Sequence, residues 1–178
     1  MHSRPSNKIA RGSITFAGRW PTHGAIARRL LNESTLCAIA TVSSGRRAHI
    51  NTAYFAWSPE FETVWLSAPD AQHSRNVRAT SSAAVAVFRS TQKWGGSNRG
   101  IQLFGRAREL RGRASLEAER LYAKRFRAYE GDLPAFRFYR LATRRMKLFD
   151  ERVLGGGTFV TVTVEHGRVK WEKTESFA

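Results

Sequence analysis

A short segment in the first half of the chain gathers side chains that could bind an anion. Residues 67–77 end a predicted strand, turn, and begin a predicted helix, with His73, Ser74, Arg75 and Asn76 around the helix start. The first turn of a helix offers free backbone N–H groups and a partial positive charge, and these side chains add donors that suit a phosphate dianion. The alternative is an ordinary helix start with one solvated arginine. Spacing alone leaves both interpretations open.

Other kinds of reactive site lack the residue spacing that they need. No serine lies in a nucleophile-elbow pattern, and the glycines at residues 155–157 precede a predicted strand instead of the helix that follows a phosphate loop. Zinc ligation from one helix needs histidines four residues apart, and no such pair occurs. The five histidines are His2, His23, His49, His73 and His166. Any chemistry would therefore depend on a bound cofactor, and we expect no metal site.

Length and composition indicate one packed domain. The chain has 178 residues, of which 42% are hydrophobic and 11% aromatic, enough for one core but short for two domains. No apolar run reaches the roughly 18 to 20 residues of a membrane-spanning helix. The single cysteine, Cys37, excludes an internal disulfide, and its apolar neighbours predict a small buried side chain in a reducing compartment. We therefore expect a cytoplasmic protein without a membrane partner.

The chain is strongly basic, with 30 Lys and Arg residues against 14 Asp and Glu residues and a net charge of +16. Such a charge favours anionic partners. The basic residues are scattered, however, without the aromatic-interleaved cluster or the helix-turn-helix spacing of nucleic-acid-binding modules, so we expect no nucleic-acid partner. Residues 1–21 carry Arg4, Lys8, Arg11 and Arg19 and no acid. This composition predicts a flexible basic arm ahead of a single domain at residues 22–178.

Hydrophobic periodicity predicts many short strands and few helices. Thr22 caps a predicted helix that ends near Asn32, a short helix covers residues 74–80, and Ser115 and Gly131 bound the longest helix. The predicted strands cover residues 36–42, 48–57, 63–67, 83–88, 101–107, 136–141, 146–149, 159–164 and 169–171. Neither face of the second predicted strand is wholly polar, which predicts that other parts of the protein cover both of its faces. The pattern predicts a mainly β chain with some α (α+β), folded as a closed antiparallel barrel with helices packed outside it.

Six segments of the chain occur in an order and at intervals that are typical of one family. They are AIATV at 38–42, GRRAHINTAYF at 45–55, VWLS at 64–67, HSRNVRA at 73–79, AVAVF at 84–88 and GIQLFG at 100–105. Over residues 25–165 the chain resembles the pyridoxamine 5'-phosphate oxidase-like, FMN-binding split-barrel family. The resemblance implies a six-stranded antiparallel split barrel that forms a homodimer with two flavin sites at the subunit interface.

The resemblance also implies which residues hold the cofactor, FMN. Matched by position, the residues that would contact the flavin ring are Ile50, Asn51, Thr52 and Ala53. Those beside the ribityl chain would be Leu66 and Ser67. Those that would bind the phosphate are Gln72, His73, Ser74, Arg75 and Asn76. Gln102 matches a strand glutamine that hydrogen-bonds the flavin of the opposite subunit.

Two departures from the pattern of the true oxidase bear on the substrate. Ile50 and Phe55 stand where the oxidase carries an arginine and a lysine, and residues 148–152 lack its Arg-x-His pattern. Because these groups recognise the phosphate and ring of the oxidase's substrate, we expect that pyridoxamine phosphate is not the substrate of this chain.

The expected function is hydride transfer at N5 of FMN to or from a small molecule. No catalytic acid or base is indicated, since His49 is expected to be a satisfied barrel residue. A polar loop with Trp94, Asn98 and Arg99 is expected to face the substrate, because loops carry specificity on rigid barrels. The alternatives are a protein of this fold that binds deazaflavin F420 or haem, and a non-catalytic protein that holds flavin or nucleic acid.

Overall fold

The computed structural model describes residues 21–131 and 133–177, so the predicted basic arm at residues 1–21 lies outside the described residues except for Pro21. Within them the chain forms, in order, α1 (His23–Asn32), β1 (Leu36–Val42), β2 (Ala48–Trp57), β3 (Thr63–Ser67), α2 (Gln72–Ala79), β4 (Ser82–Phe88), β5 (Arg99–Glu109), α3 (Gly112–Arg125), β6 (Arg137–Asp150), α4 (Glu151–Leu154), β7 (Thr158–Glu165) and β8 (Arg168–Ser176). No helix in this part of the chain is long and apolar enough to cross a membrane.

The strands form one antiparallel sheet that closes on itself. Hydrogen bonds connect the strands in the order β3-β2-β1-β4-β5-β6, and a further pairing of β3 with β6 closes these six strands into a barrel. β7 and β8 extend the sheet beyond β6. The structure therefore confirms the predicted fold class, a mainly β chain whose six-stranded antiparallel barrel carries flanking helices.

The barrel interior is filled by alternate residues of each strand. On β1 the side chains of Cys37, Ile39 and Thr41 are buried while their neighbours face outward. Deeper in the barrel the rings of Trp65 and Tyr139 stack with their centroids 5.9 Å apart, and both side chains are fully buried. Burial also raises the pKa of the Cys37 thiol to about 12. Cys37 is therefore the inert buried residue that its apolar neighbours predicted.

The largest differences from the sequence-based prediction concern the longest helix. α3 begins at Gly112, with Arg111 at the N-cap, so Ser115 lies inside the helix and does not cap it. The helix also ends at Arg125, six residues before the predicted terminator Gly131. It ends early because Phe126 takes an extended backbone conformation and packs its ring 4.6 Å from that of Tyr122.

Two further differences lie near the C-terminus. The strands predicted at residues 136–141 and 146–149 are parts of one continuous strand, β6, and α4 was not predicted. α4 is a single turn that Asp150 caps by accepting a hydrogen bond from the backbone N–H of Arg152 at 3.2 Å. So short an element carries too few apolar positions to show a helical period in the sequence.

The outer surface of four neighbouring strands is exposed and mostly apolar. This outer apolar face comprises Leu36, Ala38 and Ala40 of β1, Ile50, Thr52 and Tyr54 of β2, Ala84 and Ala86 of β4, and Gln102 and Phe104 of β5. Ile50 is 69% exposed and Tyr54 56% exposed. In the single chain the prediction that β2 is covered on both sides is therefore confirmed only near the end of the strand, where Ala56 is buried in a cluster with Ala118 and Tyr122 of α3, whereas Ile50 and Thr52 stay exposed.

A β-bulge interrupts the pairing of β5 with β6. Phe104 is opposite Arg145 and Gly105 is opposite Thr143, so Arg144 is the extra residue. A Cβ atom at position 105 would collide with the carbonyl oxygen of Ala142. The bulge therefore depends on glycine at this position.

This close approach leads to a first prediction. Gly105→Ala is expected to lower the free energy of unfolding by about 2–3 kcal/mol, because the backbone must shift to admit one methyl group. Urea denaturation monitored by circular dichroism measures the change. Gly156→Ala is the matched control, since a Cβ there meets open space, and it should stay within about 0.5 kcal/mol of the wild type. Equal stability of the two variants would contradict this account of the bulge.

Candidate functional site

A cleft of about 420 Å³ lies between the β1–β2 hairpin and the N-terminal end of α2. Among the described residues its lining contains no carboxylate and consists of Ser43, Gly45, Arg47, Ala48, His49, Gln72 and Asn76. The hairpin brings Arg47 to this position because the Ser43 side chain accepts a hydrogen bond from the Arg47 backbone N–H at 3.0 Å. The cleft therefore joins two segments that lie about 25 residues apart in the sequence.

Two features of the cleft suit an anion. The guanidinium of Arg47 is exposed and has no hydrogen-bond or ion-pair partner among the described residues. α2 begins with Ala71 at its N-cap, where no side chain caps the helix. The first-turn N–H groups and the positive end of the helix dipole thus remain available to a ligand.

The inward side of α2 fixes the helix to the barrel. The Oγ of Ser67 and the Nε2 of His73 are 2.7 Å apart, and the Ser74 hydroxyl donates to the Ser67 Oγ at 3.3 Å. The Asn76 side-chain amide donates to the Thr41 Oγ1 at 3.0 Å. All five side chains are buried. Of the predicted phosphate-binding residues, His73 and Ser74 therefore point toward the barrel, where they position α2, while Asn76 also borders the cleft.

The outward side of α2 carries the other two predicted phosphate-binding residues. Gln72 and Arg75 are exposed, and the Arg75 guanidinium donates to the Gln72 Oε1 at 2.7 Å and to the carbonyl oxygen of Asp70. The Gln72 side-chain amide in turn donates to the Asn76 Oδ1 at 2.8 Å. These bonds hold Gln72 at the edge of the cleft with Arg75 beside it.

Burial lowers the pKa of His73, and the nearby His49 lowers it further. The two rings are nearly parallel, with centroids 6.4 Å apart. Because the folded protein holds this proton less tightly than the unfolded chain, whose histidine titrates near about 6.5, the resulting stability is present above that pH. It is lost as the pH falls toward the lowered pKa of the folded state.

A second prediction follows from this pKa. The free energy of unfolding should fall between about pH 7.5 and about pH 5, and His73→Gln should show a smaller fall than the wild type. Urea denaturation at the two pH values measures the difference. His166→Asn, at the exposed β7–β8 turn, should keep the wild-type fall. A His73→Gln variant with the full wild-type dependence would show that another group causes it.

The residues predicted to contact a flavin ring lie on both sides of β2. Ile50 and Thr52 belong to the outer apolar face, whereas Asn51 and Ala53 are half-buried. The Asn51 side chain donates to the carbonyl oxygen of Thr52 at 3.0 Å. Of the two residues predicted beside the ribityl chain, Leu66 is half-buried and Ser67 is buried below α2.

Gln102 lies on the outer apolar face, but at a distance from β2. One row of paired residues runs across the sheet from Thr52 through Ala38 and Ala86 to Gln102. Three interstrand spacings separate the ends of this row by about 14 Å. A ligand on the outer surface of β2 would therefore not lie beside Gln102 of the same chain.

The loop predicted to face a substrate lies at the other end of the barrel from the cleft. The cleft lies next to Thr41, near the C-terminal end of β1. The loop follows Phe88 of β4, and the pairing of β4 with β1 places Phe88 near Leu36, at the start of β1. Five strand residues between these levels correspond to about 17 Å. Trp94 and Asn98 are exposed, and Arg99 forms an ion pair with Glu33 at 2.7 Å. Within one chain, the structure does not bring this loop and the cleft together.

Arg47 is the residue of the cleft that sequence reasoning missed. It belongs to a segment typical of the family, but the turn at residues 43–47 could equally be a solvated hairpin. The available signal was the pair Arg46 and Arg47 beside Gly45 in a hairpin with no other Lys, Arg, Asp or Glu. The signal indicates a binding site only once the pairing of β1 with β2 brings the hairpin next to α2.

Comparison with known proteins identifies the relatives of this architecture. A sequence profile described as pyridoxamine 5'-phosphate oxidase matches residues 25–169. No match was found among curated proteins. Among solved structures, the chain is similar to a heme-binding protein from Mycobacterium smegmatis, with 19% identity, a TM-score of 0.70, and coverage of 82% of this chain and 60% of that one.

Two other solved structures share the fold. The heme storage protein HutZ from Vibrio cholerae has 18% identity and a TM-score of 0.56, with coverage of 64% of this chain and 84% of that one. A candidate pyridoxamine 5'-phosphate oxidase from Listeria innocua has 14% identity and a TM-score of 0.56, with coverage of 68% and 93%. At these identities the similarity shows a common fold.

Proposed function

The chain belongs to the pyridoxamine 5'-phosphate oxidase family, as its six sequence segments predicted, and from this premise we propose that it binds FMN and acts as a flavin-dependent oxidoreductase of a small molecule. The observation that carries the proposal is the cleft at the start of α2. It combines a guanidinium that has no partner among the described residues with an uncapped helix N-terminus, and its lining includes Ala48, which lies on the same side of β2 as Ile50 and Thr52.

The residues of the cleft fit the phosphate of FMN. Arg47 and the first-turn N–H groups of α2 would bind the dianion, with Gln72 and Asn76 at the border of the cleft as further donors. Arg75 would add charge from the exposed side of the helix. The buried bonds of His73 and Ser74 would hold α2 in place without touching the phosphate.

The outer apolar face suits the flavin ring and a second copy of this chain. Ile50 and Thr52 are exposed on the same side of β2 as Ala48, which lines the cleft, so a ligand held in the cleft could lie along these residues. A second copy on this face would bury the exposed apolar side chains and exclude water from the ring. Because Gln102 lies about 14 Å from Thr52 across the sheet, Gln102 of the partner subunit is better placed to reach the ring.

A flavin bound in this position supplies hydride transfer at N5. The chain's own residues would bind and orient the cofactor. The cleft would anchor the phosphate, and the outer apolar face would orient the ring. The exposed hydroxyl of Tyr54 stands on the same face and could hydrogen-bond a substrate. The loop with Trp94 lies too far from the cleft in one chain, so it would serve the flavin of the partner subunit.

The family's named substrate does not fit this chain. Phe55 is fully buried in the barrel, and Ile50 offers a substrate phosphate no charge. A third prediction is that the FMN-loaded protein forms pyridoxal 5'-phosphate from pyridoxamine 5'-phosphate under air at less than about 0.1 per second, two decades below a typical enzyme. Faster turnover would show that other residues replace the missing groups.

Haem binding is the second candidate, and deazaflavin F420 is a further variant of the flavin proposal. Haem is favoured by the similarity to two proteins described as heme-binding and heme storage proteins, and the outer apolar face could also pack against a porphyrin. Among the described residues, however, no histidine lies on that face. The phenol of Tyr54 is the iron ligand that it would offer.

Titration of the ligand-free protein with FMN, riboflavin and haemin, each in turn, separates these candidates. We expect saturable binding of one FMN per chain, with riboflavin bound more weakly because it lacks the phosphate. Tight haemin binding with a shifted Soret band, together with no measurable FMN binding, would instead support the haem-binding candidate.

A further inference from the structure

A second cleft, of about 670 Å³, lies at the C-terminal end of α2, away from the proposed FMN site. Its lining includes three arginines from three different elements, Arg78 of α2, Arg106 of β5 and Arg144 of β6. Thr80, Ser81 and Ser82 contribute hydroxyl groups, and no carboxylate within residues 21–131 and 133–177 lines the cleft. We call it the arginine cleft. The eight residues of α2 separate it from the start of the helix by about 12 Å.

The three arginines differ in the hydrogen bonds and ion pairs that their side chains already form. Arg78 is held by Glu109 at 3.2 Å and by the carbonyl oxygen of Pro69 at 2.6 Å. In the last turn of α2 it offsets the partial negative charge of the helix end. The charge of Arg78 is therefore already paired, and this side chain contributes mainly to the shape of the cleft.

Arg106 and Arg144 offer the free charge. The Arg106 Nε donates to the Ser81 Oγ at 2.9 Å, which orients the guanidinium and leaves its terminal nitrogens unengaged. The Arg144 side chain is exposed and has no hydrogen-bond or ion-pair partner among the described residues. Two guanidinium groups thus lie at one cleft without a carboxylate to neutralise them.

The β-bulge explains why Arg144 lies at this cleft. Arg144 is the extra residue where β6 faces Gly105, and the bulge forms because Gly105 has no side chain. A bulge redirects a side chain that regular pairing would place elsewhere. The position of Arg144 is thus built into the backbone of β5 and β6 and does not depend on a surface loop.

We propose that the arginine cleft is a second anion site, which binds a phosphorylated small molecule through Arg106 and Arg144. A guanidinium forms two parallel hydrogen bonds with phosphate oxygens, and two such groups with nearby hydroxyls suit a phosphate monoester or a pyrophosphate. The proposal does not depend on FMN binding, because it uses other residues at the opposite end of α2.

Isothermal titration calorimetry with pyrophosphate and with inorganic phosphate, at low ionic strength, tests the proposal. With saturating FMN present, so that the first cleft is occupied, wild-type protein should bind pyrophosphate saturably at one site per chain. The Arg106→Gln, Arg144→Gln variant should bind it about tenfold more weakly or worse. The single variant Arg144→Gln should lose part of this affinity while keeping the wild-type melting temperature, since that side chain has no partner to lose in the part of the chain that the structure describes.

The matched control is Arg113→Gln, Arg120→Gln, which removes the same charge from exposed positions on α3. It should change pyrophosphate affinity by less than about twofold, and the cleft variant should keep wild-type FMN affinity. Equal weakening in both double variants, or the absence of saturable binding, would overturn the proposal. Binding of a short DNA duplex without binding of pyrophosphate would also overturn it, because that result assigns the arginines to a nucleic-acid surface.

Discussion

FMN is expected to bind the Arg47→Ala, Arg75→Ala variant about a hundredfold more weakly than the wild-type protein, while riboflavin affinity changes less than about threefold. A hydrogen bond to a charged group contributes on the order of 1.5–3 kcal/mol. Arg47 has no partner to release among the described residues, so its full contribution should be lost. Arg75 already donates to Gln72, so its removal should cost less. Flavin fluorescence titration measures both affinities.

The comparison of FMN with riboflavin isolates the phosphate from the ring. Arg113→Ala, Arg120→Ala is the control, because it lowers the net charge equally on the exposed surface of α3. It should bind FMN as the wild type does. If the cleft variant loses FMN and riboflavin affinity to the same extent, the phosphate binds elsewhere and the cleft affects the ring only through folding.

The second large effect concerns the outer apolar face. Ala40→Glu is expected to weaken association of two chains by at least about a hundredfold. Ala40 is exposed in the single chain and lies between Ile50 and Ala84 in one row of the face. A carboxylate there is solvated in the monomer but would be buried without a partner in the dimer, at a cost of about 3–5 kcal/mol. Sedimentation equilibrium across micromolar concentrations measures the change.

Leu116→Glu is the matched control for this substitution. Leu116 is an exposed apolar residue on α3, outside the outer apolar face, so the same charge there should leave association unchanged. FMN affinity should fall in Ala40→Glu and stay constant in Leu116→Glu, since the partner subunit would complete the site. A wild-type chain that sediments near its own mass of 20.1 kDa would contradict the dimer.

The strands were the part of the fold that sequence could predict well. Alternating residues such as Cys37 and Ile39 mark β1 because burial on one side of a strand imposes a period of two. Thr22 likewise predicted the start of α1, since its side chain accepts the bond from the Ala25 backbone N–H. These features depend on neighbours within a few residues, which the sequence displays directly.

The site could be predicted only in part, because its geometry depends on contacts between distant segments. Sequence placed donors at the start of α2, but it could not show that Ser74 is fully buried against Ser67. Nor could it show that Arg47 lies at the same cleft. The early end of α3 has a similar cause, since Phe126 leaves the helical conformation and packs against Tyr122 before the chain reaches Gly131.

The visible absorption spectrum of the purified protein, followed by chromatography of the ligand that heat releases, tests the central claim most directly. We predict the two-banded spectrum of an oxidised flavin and the release of about one FMN per chain, with the spectrum largely lost in Arg47→Ala, Arg75→Ala. A Soret band with released haem, or a colourless protein that takes up no FMN when it is supplied, would contradict the assignment of the cleft to FMN.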